Sequence, residues 1–357
     1  MTLILSNDDV ERLLSMTECL DALEDAYVEL AEGRGVTRVR SDCLTPTGRE
    51  GAVYGLKSMD GVLPKQGIGA VRIGSDIVTW PRQGGKLRRV KVPAAPGGRY
   101  VGLVLLFSTE NCEPLAIFPD GVMQRTRVGA TNGLAAKYLA REDAKCVGIL
   151  GSGWQAGTQL TAICTVRDIE TIRCFSPSAE HRTAFSTEMS ATLGVDVTPV
   201  DTPEAAVKGA DVVMCASSSI DNIFFEPWVE PGVHLSSIKR PEIEAKAIQR
   251  ADKVVIHTRD ATPMHIATKG LELPERTEGQ GWAMTEEIDM AKLTTLPEII
   301  AGKAQGRTSD EEVTCFLNNL GMGFQFAAAG AVVYRKAKET GAGQDLPTDW
   351  FTEDVHP

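Results

Sequence analysis

The sequence predicts an α/β protein with two domains, in which a β-rich domain precedes a doubly wound parallel sheet. Three observations carry this prediction. Short β-rich runs separated by turns of Gly, Pro and Asn fill residues 36–120, and strand-like and helix-like segments then alternate between residues 145 and 258. An apolar strand also breaks into a glycine turn at GSGWQA (151–156). At 357 residues the chain is long enough for two such domains.

The composition argues against two classes of protein. A hydrophobic content of 43% and a charged content of 24% are those of an ordinary globular protein. The net charge of −11 argues against nucleic-acid binding, which favours a basic face. No apolar run approaches the roughly 18 residues that a membrane span needs. The N-terminus also lacks the basic region that opens a signal peptide.

The cysteines and histidines suggest neither disulfides nor a metal. Eight cysteines occur without a CxxC pair, and several lie in apolar strand-like runs such as KCVGIL, which is typical of buried thiols. The five histidines show no metal-ligand spacing with them. We therefore expect a cytoplasmic protein without a metal site.

Two helices open the chain. Ser6 and Thr17 are predicted N-caps, because apolar residues at helical spacing follow each of them. The second helix is predicted to end at Gly33 and to place four apolar residues on one face. These residues are Leu20, Leu23, Tyr27 and Leu30.

A mostly antiparallel sheet is predicted for residues 36–120, because its β-rich runs alternate with turns. The predicted strands are AVYGLKSM (52–59), GAVRIGSDIVTW (69–80), YVGLVLLF (100–107) and PLAIF (114–118). A helix of small residues, VGATNGLAAKYLAR (128–141), is predicted to follow this sheet.

The second domain is predicted from regular alternation of strands and helices, which implies a parallel sheet. The predicted strands are 145–150, 171–176, 195–200, 211–217, 234–238 and 253–258, with helices at 154–166, 179–192 and 202–210. From residue 313 onwards we predict one long helix that packs back on the first domain. The expected domains are 1–143 together with 313–357, and 144–312.

The turn GSGWQA has the form G-x-G-x-x-A, follows an apolar strand and opens a predicted helix. That context is typical of the Rossmann dinucleotide-binding turn. Gly151 would make the tight turn, Gly153 would let the backbone approach a pyrophosphate, and Ala156 would allow close packing of helix on strand. The predicted cofactor-binding residues of the turn are Gly151, Ser152, Gly153, Trp154, Gln155 and Ala156.

The end of the second strand favours NADP(H) over NAD(H). It reads CFSPSAEHR (174–182) and has no carboxylate at the strand end to accept from a ribose 2′-hydroxyl. Ser176 and Ser178 could donate to a 2′-phosphate, and Arg182 or His181 could pair with its charge. The alternative is that Glu180 or a backbone amide serves NAD(H).

Five phrases give the chain a resemblance to the ornithine cyclodeaminase/mu-crystallin family, from about residue 1 to residue 340. They are 102–121 (GLVLLFSTENCEPLAIFPDG), 127–140 (RVGATNGLAAKYLA), 148–156 (GILGSGWQA), 231–235 (PGVHL) and 299–316 (IIAGKAQGRTSDEEVTCF). The resemblance implies NAD(H) or NADP(H) as cofactor and a homodimer formed through the β-rich domain. It also implies either cyclisation of ornithine with loss of ammonia or reduction of imines and ketimines to amino acids.

The same resemblance suggests the substrate residues. The family's carboxylate-binding arginine matches Arg127, with Arg125 as the fallback, and an earlier arginine of the pocket matches Arg40. Guanidinium groups suit a carboxylate, because the pair is bidentate. The family's substrate lysine does not match, because the expected position holds Arg72, which cannot give up its proton. Lys57 is the nearest alternative amine.

A second family position also fails to match. The family has a Gly-Ala-Asp turn, whose aspartate contacts the substrate amine, where this chain reads GVHLSSIKRPEIEA (232–245). Glu242 is the acid that could replace this aspartate as a proton relay, and Glu244 is a second candidate. We expect Ser217, Ser218 and Ser219 to lie near the nicotinamide ribose.

The altered positions favour a more anionic substrate than ornithine, such as a dicarboxylic imine or a keto acid. The basic segment 82–99 would add to this preference if it overhangs the site; otherwise it is a solvated turn. We therefore predict an NAD(P)H-dependent oxidoreductase in which Arg72, Arg127 and Glu242 are the catalytic candidates. The alternatives are an ornithine cyclodeaminase and a weakly catalytic accessory subunit of an amine oxidase.

Overall fold

The computed structural model describes residues 1–83, 86–87, 89–219, 221–239, 241–259, 264–272 and 288–353, with the side chains of 82–83 and 86–87 left out. The β-rich part forms a mixed ten-stranded sheet with the main order β17-β3-β4-β5-β9-β10-β1-β20, in which β2 also pairs with β4 and β8 with β5. Its strands are β1 (Thr2–Ile4), β2 (Val36–Thr37), β3 (Ser41–Pro46), β4 (Ala52–Leu63), β5 (Ile68–Thr79), β8 (Val90–Val92), β9 (Val101–Ser108), β10 (Pro114–Pro119), β17 (Met264–Ala267) and β20 (Gln344–Leu346). A small hairpin, β6 (Arg82–Gln83) and β7 (Lys86–Leu87), precedes β8.

The second sheet is parallel and has eight strands, in the order β13-β12-β11-β14-β15-β19-β16-β18. They are β11 (Cys146–Leu150), β12 (Thr171–Phe175), β13 (Asp196–Pro199), β14 (Val212–Cys215), β15 (His234–Ser237), β16 (Lys253–Ile256), β18 (Thr294–Thr295) and β19 (Thr314–Leu317). The predicted fold class, a β-rich α+β domain with a Rossmann sheet, is confirmed. Four-residue runs such as β14 and β15 are buried along their whole length, as expected of strands covered on both faces.

The helices cover both sheets. They are α1 (Asn7–Leu13), α2 (Met16–Ala31), α3 (Gly121–Leu139), α4 (Trp154–Val166), α5 (Ala179–Leu193), α6 (Pro203–Val207), α7 (Ala245–Gln249), α8 (Leu296–Ile300) and α9 (Phe324–Thr340). Short 3-10 helices lie at Pro64–Gln66, Glu226–Trp228, Met290–Lys292 and Thr348–Phe351. In the part of the chain that the structure describes, no helix has the length and hydropathy required to cross a bilayer.

The cap of the second helix differs from the prediction. Ser6 caps α1 as expected, in a capping box with Asp9. Thr17 is not a cap, because α2 begins at Met16 and Ser15 accepts from the backbone N–H of Glu18. The Glu18 side chain accepts in return from the Ser15 backbone, so a second capping box decides where the helix starts.

The prediction of one long helix from residue 313 is wrong in its first part. Residues 314–317 form β19, which lies between β15 and β16, and the helix α9 begins only at Phe324. All four residues of β19 are buried, and a short apolar run of this kind does not distinguish a strand from a helix by its period. Two segments therefore cross the expected domain boundaries: β19 enters the parallel sheet, and β17 pairs with β3 of the mixed sheet.

Helix α3 joins the two parts of the molecule and positions the site. It begins seven residues before the predicted segment and packs on α4 along its small residues. A Cβ at Gly129 would lie 2.5 Å from the carbonyl oxygen of Thr158, and one at Gly133 would lie 2.9 Å from the Cβ of Ala162. Glycine at these positions, one turn apart, lets α3 approach the helix that follows the glycine turn.

Candidate active site

The glycine turn lies between the carboxyl end of β11 and the first turn of α4. Gly151 has a φ of +132°, its N–H donates to the carbonyl oxygen of Phe175 at 2.8 Å, and a Cβ there would collide with the carbonyl oxygen of Ala216. Gly153 is the N-cap, and a Cβ there would meet no protein atom within 4 Å. Because no side chain caps α4, its first N–H groups remain available to an anion, and the turn fits a pyrophosphate.

The remaining residues of the turn differ in their burial and in their contacts. Ala156 is fully buried against the strand, while Trp154 is 56% exposed with the guanidinium of Arg125 over its ring at 5.7 Å. The Ser152 hydroxyl donates to the Ser176 hydroxyl at 2.8 Å. The side-chain oxygen of Gln155 is buried without a hydrogen-bond partner among the described residues, at the edge of the cavity introduced below.

The residues predicted to recognise a 2′-phosphate gather at the carboxyl end of β12. Ser178 caps α5 by accepting from the backbone N–H of His181. Arg182 donates to the carbonyl oxygen of Ser176 at 3.1 Å and forms an ion pair with Asp201, whose side chain is 93% exposed. Arg182 is thus held at the strand end, although its charge already has an exposed partner in Asp201.

Glu242 has a different environment from the one predicted for a proton relay. Its carboxylate is fully buried and accepts from the N–H and hydroxyl of Ser217 and from the N–H of Ile238, and burial raises its pKa. These bonds tie together the loops that follow β14 and β15, and Glu242 is not among the residues that line the cavity. In the structure Glu242 holds these two loops together, and its role as a proton relay stays a prediction.

The three serines after β14 form a turn. The Ser217 hydroxyl accepts from the N–H of Ser219, and the Ser219 hydroxyl donates to the carbonyl oxygen of Asp221. Ser218 is exposed. Glu242 thereby fixes the backbone of the turn expected beside the nicotinamide ribose.

A cavity of about 290 Å³ lies between the carboxyl ends of the parallel strands and the inner face of the mixed sheet. Gln155 contributes from the first turn of α4, Lys239 from the loop after β15 and Asn318 from the loop after β19. Ligands of open parallel sheets bind at this edge. Seven cationic side chains and one carboxylate line the cavity among the described residues, namely Arg40, Lys57, Arg72, Arg89, Lys91, Arg127 and Lys239 with Asp76.

Arg127 is the most deeply buried of these cations, at 3% exposure. Its guanidinium donates to the side-chain oxygen of Gln325 at 2.9 Å and lies over the ring of Phe326 at 5.2 Å. Burial lowers its pKa to about 10, which leaves it charged at neutral pH. Among the described residues no carboxylate forms an ion pair with it, and its Nε has no hydrogen-bond partner. Such a group suits a substrate carboxylate.

The residues behind Arg127 are neutral. Gln325 also donates to the hydroxyls of Thr131 (2.6 Å) and Tyr27 (3.1 Å), and the Tyr27 hydroxyl lies 2.6 Å from Nε2 of His257. Burial raises the pKa of Tyr27 and lowers that of His257 to about 3, so neither carries charge at neutral pH. This network orients Arg127 without cancelling its charge.

Arg72 lies beside Arg127 but is paired within the protein. Its Nε donates to Asp120 at 2.6 Å, and the pair lies in a slot formed by Gly74 and Gly102, which are partners across β5 and β9. A Cβ at Gly74 would lie 2.9 Å from a guanidinium nitrogen of Arg72, and one at Gly102 would collide with the Asp120 carboxylate.

A second group of cations surrounds Asp76, four residues further along β5. The ammonium of Lys57 lies 3.2 Å from this carboxylate and that of Lys91 lies 2.9 Å from it. Arg40 pairs with Asp42 at 3.0 Å beside them. Asp76 is 8% exposed, and the two lysines lower its pKa against the effect of burial.

The sequence profile of the ornithine cyclodeaminase/mu-crystallin family matches residues 94–341. The chain belongs to this family. It is similar to the Delta(1)-pyrroline-2-carboxylate reductase of Bacillus cereus, with 27% identity over 96% of this chain and 99% of the relative.

Two solved structures share the fold over nearly the whole chain. One is the Delta(1)-pyrroline-2-carboxylate reductase of Thermococcus litoralis in complex with NADH and L-proline, with a TM-score of 0.80, 26% identity, and coverage of 97% of this chain and 100% of that one. The other is an archaeal alanine dehydrogenase dimer with bound NAD, with a TM-score of 0.78, 26% identity, and coverage of 97% and 99%.

The structure brings the four predicted substrate residues, Arg40, Lys57, Arg72 and Arg127, into one cavity. Arg125, the fallback for Arg127, instead faces Trp154 and pairs with Glu11. Lys57, the nearest alternative amine, lines this cavity.

Sequence reasoning missed the groups that hold these cations. Asp120 and Gln325 lie 48 and 198 residues along the chain from the arginines that they contact. Their roles depend on tertiary contact rather than on any motif. The sequence did give a signal for Arg89 and Lys91, because both belong to the basic segment 82–99 that was considered as a possible part of the site.

Proposed function

We propose that this protein is an NAD(P)H-dependent oxidoreductase that acts on a small carboxylated imine, keto acid or amino acid. The observation that carries the proposal is the buried, positively charged Arg127 in a cavity that begins at the glycine turn. The full-length similarity to two reductases of a cyclic imino acid and to an alanine dehydrogenase supports the same reaction class.

The residues of the chain would orient the substrate and stabilise its charge. When bound, the reduced nicotinamide supplies a hydride to the electrophilic carbon and becomes oxidised. Arg127 and Arg72 would hold the carboxylate beside the turn, which fixes the position of the reacting carbon. Lys57, buried at 7% exposure, is the amine that we assign to protonate the substrate nitrogen or oxygen.

We propose NADP(H) as the preferred cofactor. The support is the position of Arg182 at the end of β12, next to the hydroxyls of Ser176 and Ser178. The ion pair with the exposed Asp201 would have to open for a 2′-phosphate to bind. We therefore expect NADPH to bind about tenfold more tightly than NADH, as measured by fluorescence titration. Arg182→Ala should remove the preference, and Asp201→Asn should increase it.

We further propose a homodimer formed through the outer face of the mixed sheet, and a location in the cytoplasm. Three exposed apolar side chains of that face support the interface: Leu56 at 44%, Val101 at 50% and Ile266 at 56% exposure. A contiguous exposed apolar patch marks a site of association.

The experiment that tests the function is the oxidation of NADPH or NADH in the presence of keto acids with ammonium, and of cyclic imino acids. We expect turnover, and we expect Arg127→Lys to lower kcat/KM by about 100-fold because a bidentate contact is lost. Arg125→Lys is the matched control, two residues away and outside the cavity, and should leave the substrate KM unchanged.

Two other outcomes would each favour an alternative. Cofactor binding without turnover of any of these substrates would contradict the proposal and favour an accessory subunit of an amine oxidase. Release of ammonia from ornithine would favour a cyclodeaminase.

A further inference from the structure

The basic segment 82–99 reaches the cavity. Strand β8 pairs with β5 in antiparallel register, with Lys91 opposite Val78, and this pairing brings two cations of the segment to the cavity wall. They are Arg89 and Lys91. The segment therefore contributes to the site rather than forming only a solvated turn.

The cations of the cavity form two groups. The first, Arg127 and Arg72, lies at the Gly74 end, and the second, Lys57, Lys91, Arg40 and Arg89, surrounds Asp76. Arg72 and Asp76 share the inner face of β5, about 13 Å apart along the strand. Because the Arg72 side chain lies over Gly74, its guanidinium is located roughly halfway along the strand between residues 72 and 76. The two groups are therefore separated by the length of a short carbon chain.

The cavity becomes narrow beyond the second group. An extension of about 40 Å³ continues from Arg40, Lys57 and Arg89. Its other lining side chains are the apolar Leu44, Val53, Val78 and Trp80 and the polar Asp42, Asp76 and His265. This volume leaves little room for a long substrate. A diamine would place its second cation among lysines and arginines, because Asp42 and Asp76 already pair with Arg40, Lys57 and Lys91. A short substrate with a second negative charge suits these surroundings.

We propose that Arg89, Lys91 and Arg40 form a subsite for the second carboxylate of a short dicarboxylic imine or keto acid. This inference rests on the proposed function, because Arg127 and Arg72 take the carboxylate next to the reacting carbon. The subsite is separate from the expected pyrophosphate position, where the glycine turn offers backbone N–H groups and Ser152. Asp76 holds the two lysines in place and lowers the cost of gathering like charges.

The test compares two keto acids that differ only by the terminal carboxylate, oxaloacetate and 2-oxobutanoate, each with ammonium and reduced cofactor. We expect kcat/KM to be at least about tenfold higher for the dicarboxylate. Arg89→Gln and Lys91→Gln should each reduce the ratio of the dicarboxylate value to the monocarboxylate value by about tenfold. Arg99→Gln is the matched control, because Arg99 belongs to the same segment but is exposed and outside the cavity lining.

A binding measurement with acids that cannot react tests the subsite independently of the proposed function. Calorimetry of the cofactor-loaded protein should detect succinate more strongly than butyrate, and Lys91→Gln should abolish the difference. If neither keto acid is reduced but this difference persists, the proposed function fails and the subsite stands. Equal or better use of 2-oxobutanoate, or equal binding of the two acids, overturns the subsite, while turnover of the monocarboxylate would leave the proposed function intact.

Discussion

At the scale of the residue, Gly151 and Gly153 are glycines for different physical reasons. Gly151 has a positive φ, and its α-carbon faces the backbone of Ala216, so the protein itself has no room for a side chain. Gly153 faces open space, so only a bound ligand would meet its side chain. Substitution should therefore separate folding from cofactor binding.

We expect Gly151→Ala to lower the free energy of unfolding by about 3 kcal/mol, because strain and overpacking add. Gly153→Ala should cost about 1 kcal/mol or less, as an N-cap change, and should weaken cofactor binding by at least about tenfold. Urea denaturation and fluorescence titration of both variants measure the two effects. Unchanged cofactor affinity in Gly153→Ala would contradict the assignment of the turn.

At the scale of the element, the strands and helices of the Rossmann sheet could be predicted because their patterns are local. The helix 154–166 matches α4 in both bounds, since glycine before it and a turn after it mark its ends. Strand β19 could not be predicted, because four buried residues carry no period and its place between β15 and β16 depends on partners far along the chain.

The candidate site follows the same division. The glycine turn and the arginines could be found from motifs and resemblance, because each lies within a recognisable stretch. The partners that set their charge and direction could not, since Asp76 and Asp120 become neighbours of Lys57 and Arg72 only through strand register and the fold. The sequence also gives no sign that the carboxylate of Glu242 accepts from the backbone N–H groups of Ser217 and Ile238.

The contact between the start of α9 and β4 gives a test at this scale, because one glycine on each element makes room for it. A Cβ at Gly323 would collide with the backbone of Asp60, and a Cβ at Gly61 would collide with the backbone of Phe324. Since backbone atoms have little freedom to move, Gly323→Ala should lower the free energy of unfolding by about 3 kcal/mol. Urea denaturation measures it, and a loss below about 1 kcal/mol would contradict the close contact.

The matched control is Gly69→Ala on the neighbouring strand β5. A Cβ at Gly69 would meet only a methyl group of Val62, at 3.7 Å, which is ordinary contact. We expect the free energy of unfolding of this variant to lie within about 0.5 kcal/mol of that of the parent protein.

At the scale of the whole molecule, the outer face of the mixed sheet is the surface that needs explanation. Strand register aligns one residue from each of five neighbouring strands, β17, β3, β4, β5 and β9, in a row across this face. The row is Ile266, Cys43, Leu56, Ser75 and Val101. Leu56 is at its centre, and the apolar side chains on both sides of it are exposed in the single chain. A second copy related by a two-fold axis would cover the same row on both chains.

We expect the protein to be a dimer and Leu56→Asp to shift it towards the monomer. In a two-fold interface both copies place the introduced aspartate in the contact. The dissociation constant of the dimer should therefore rise by about 100-fold or more. Light scattering after gel filtration over a range of concentrations measures the shift. Val36→Asp is the control, since Val36 is also 56% exposed but lies on β2, outside the row. A parent protein that is monomeric would contradict the dimer, and a Leu56→Asp variant that stays dimeric would place the interface on another face.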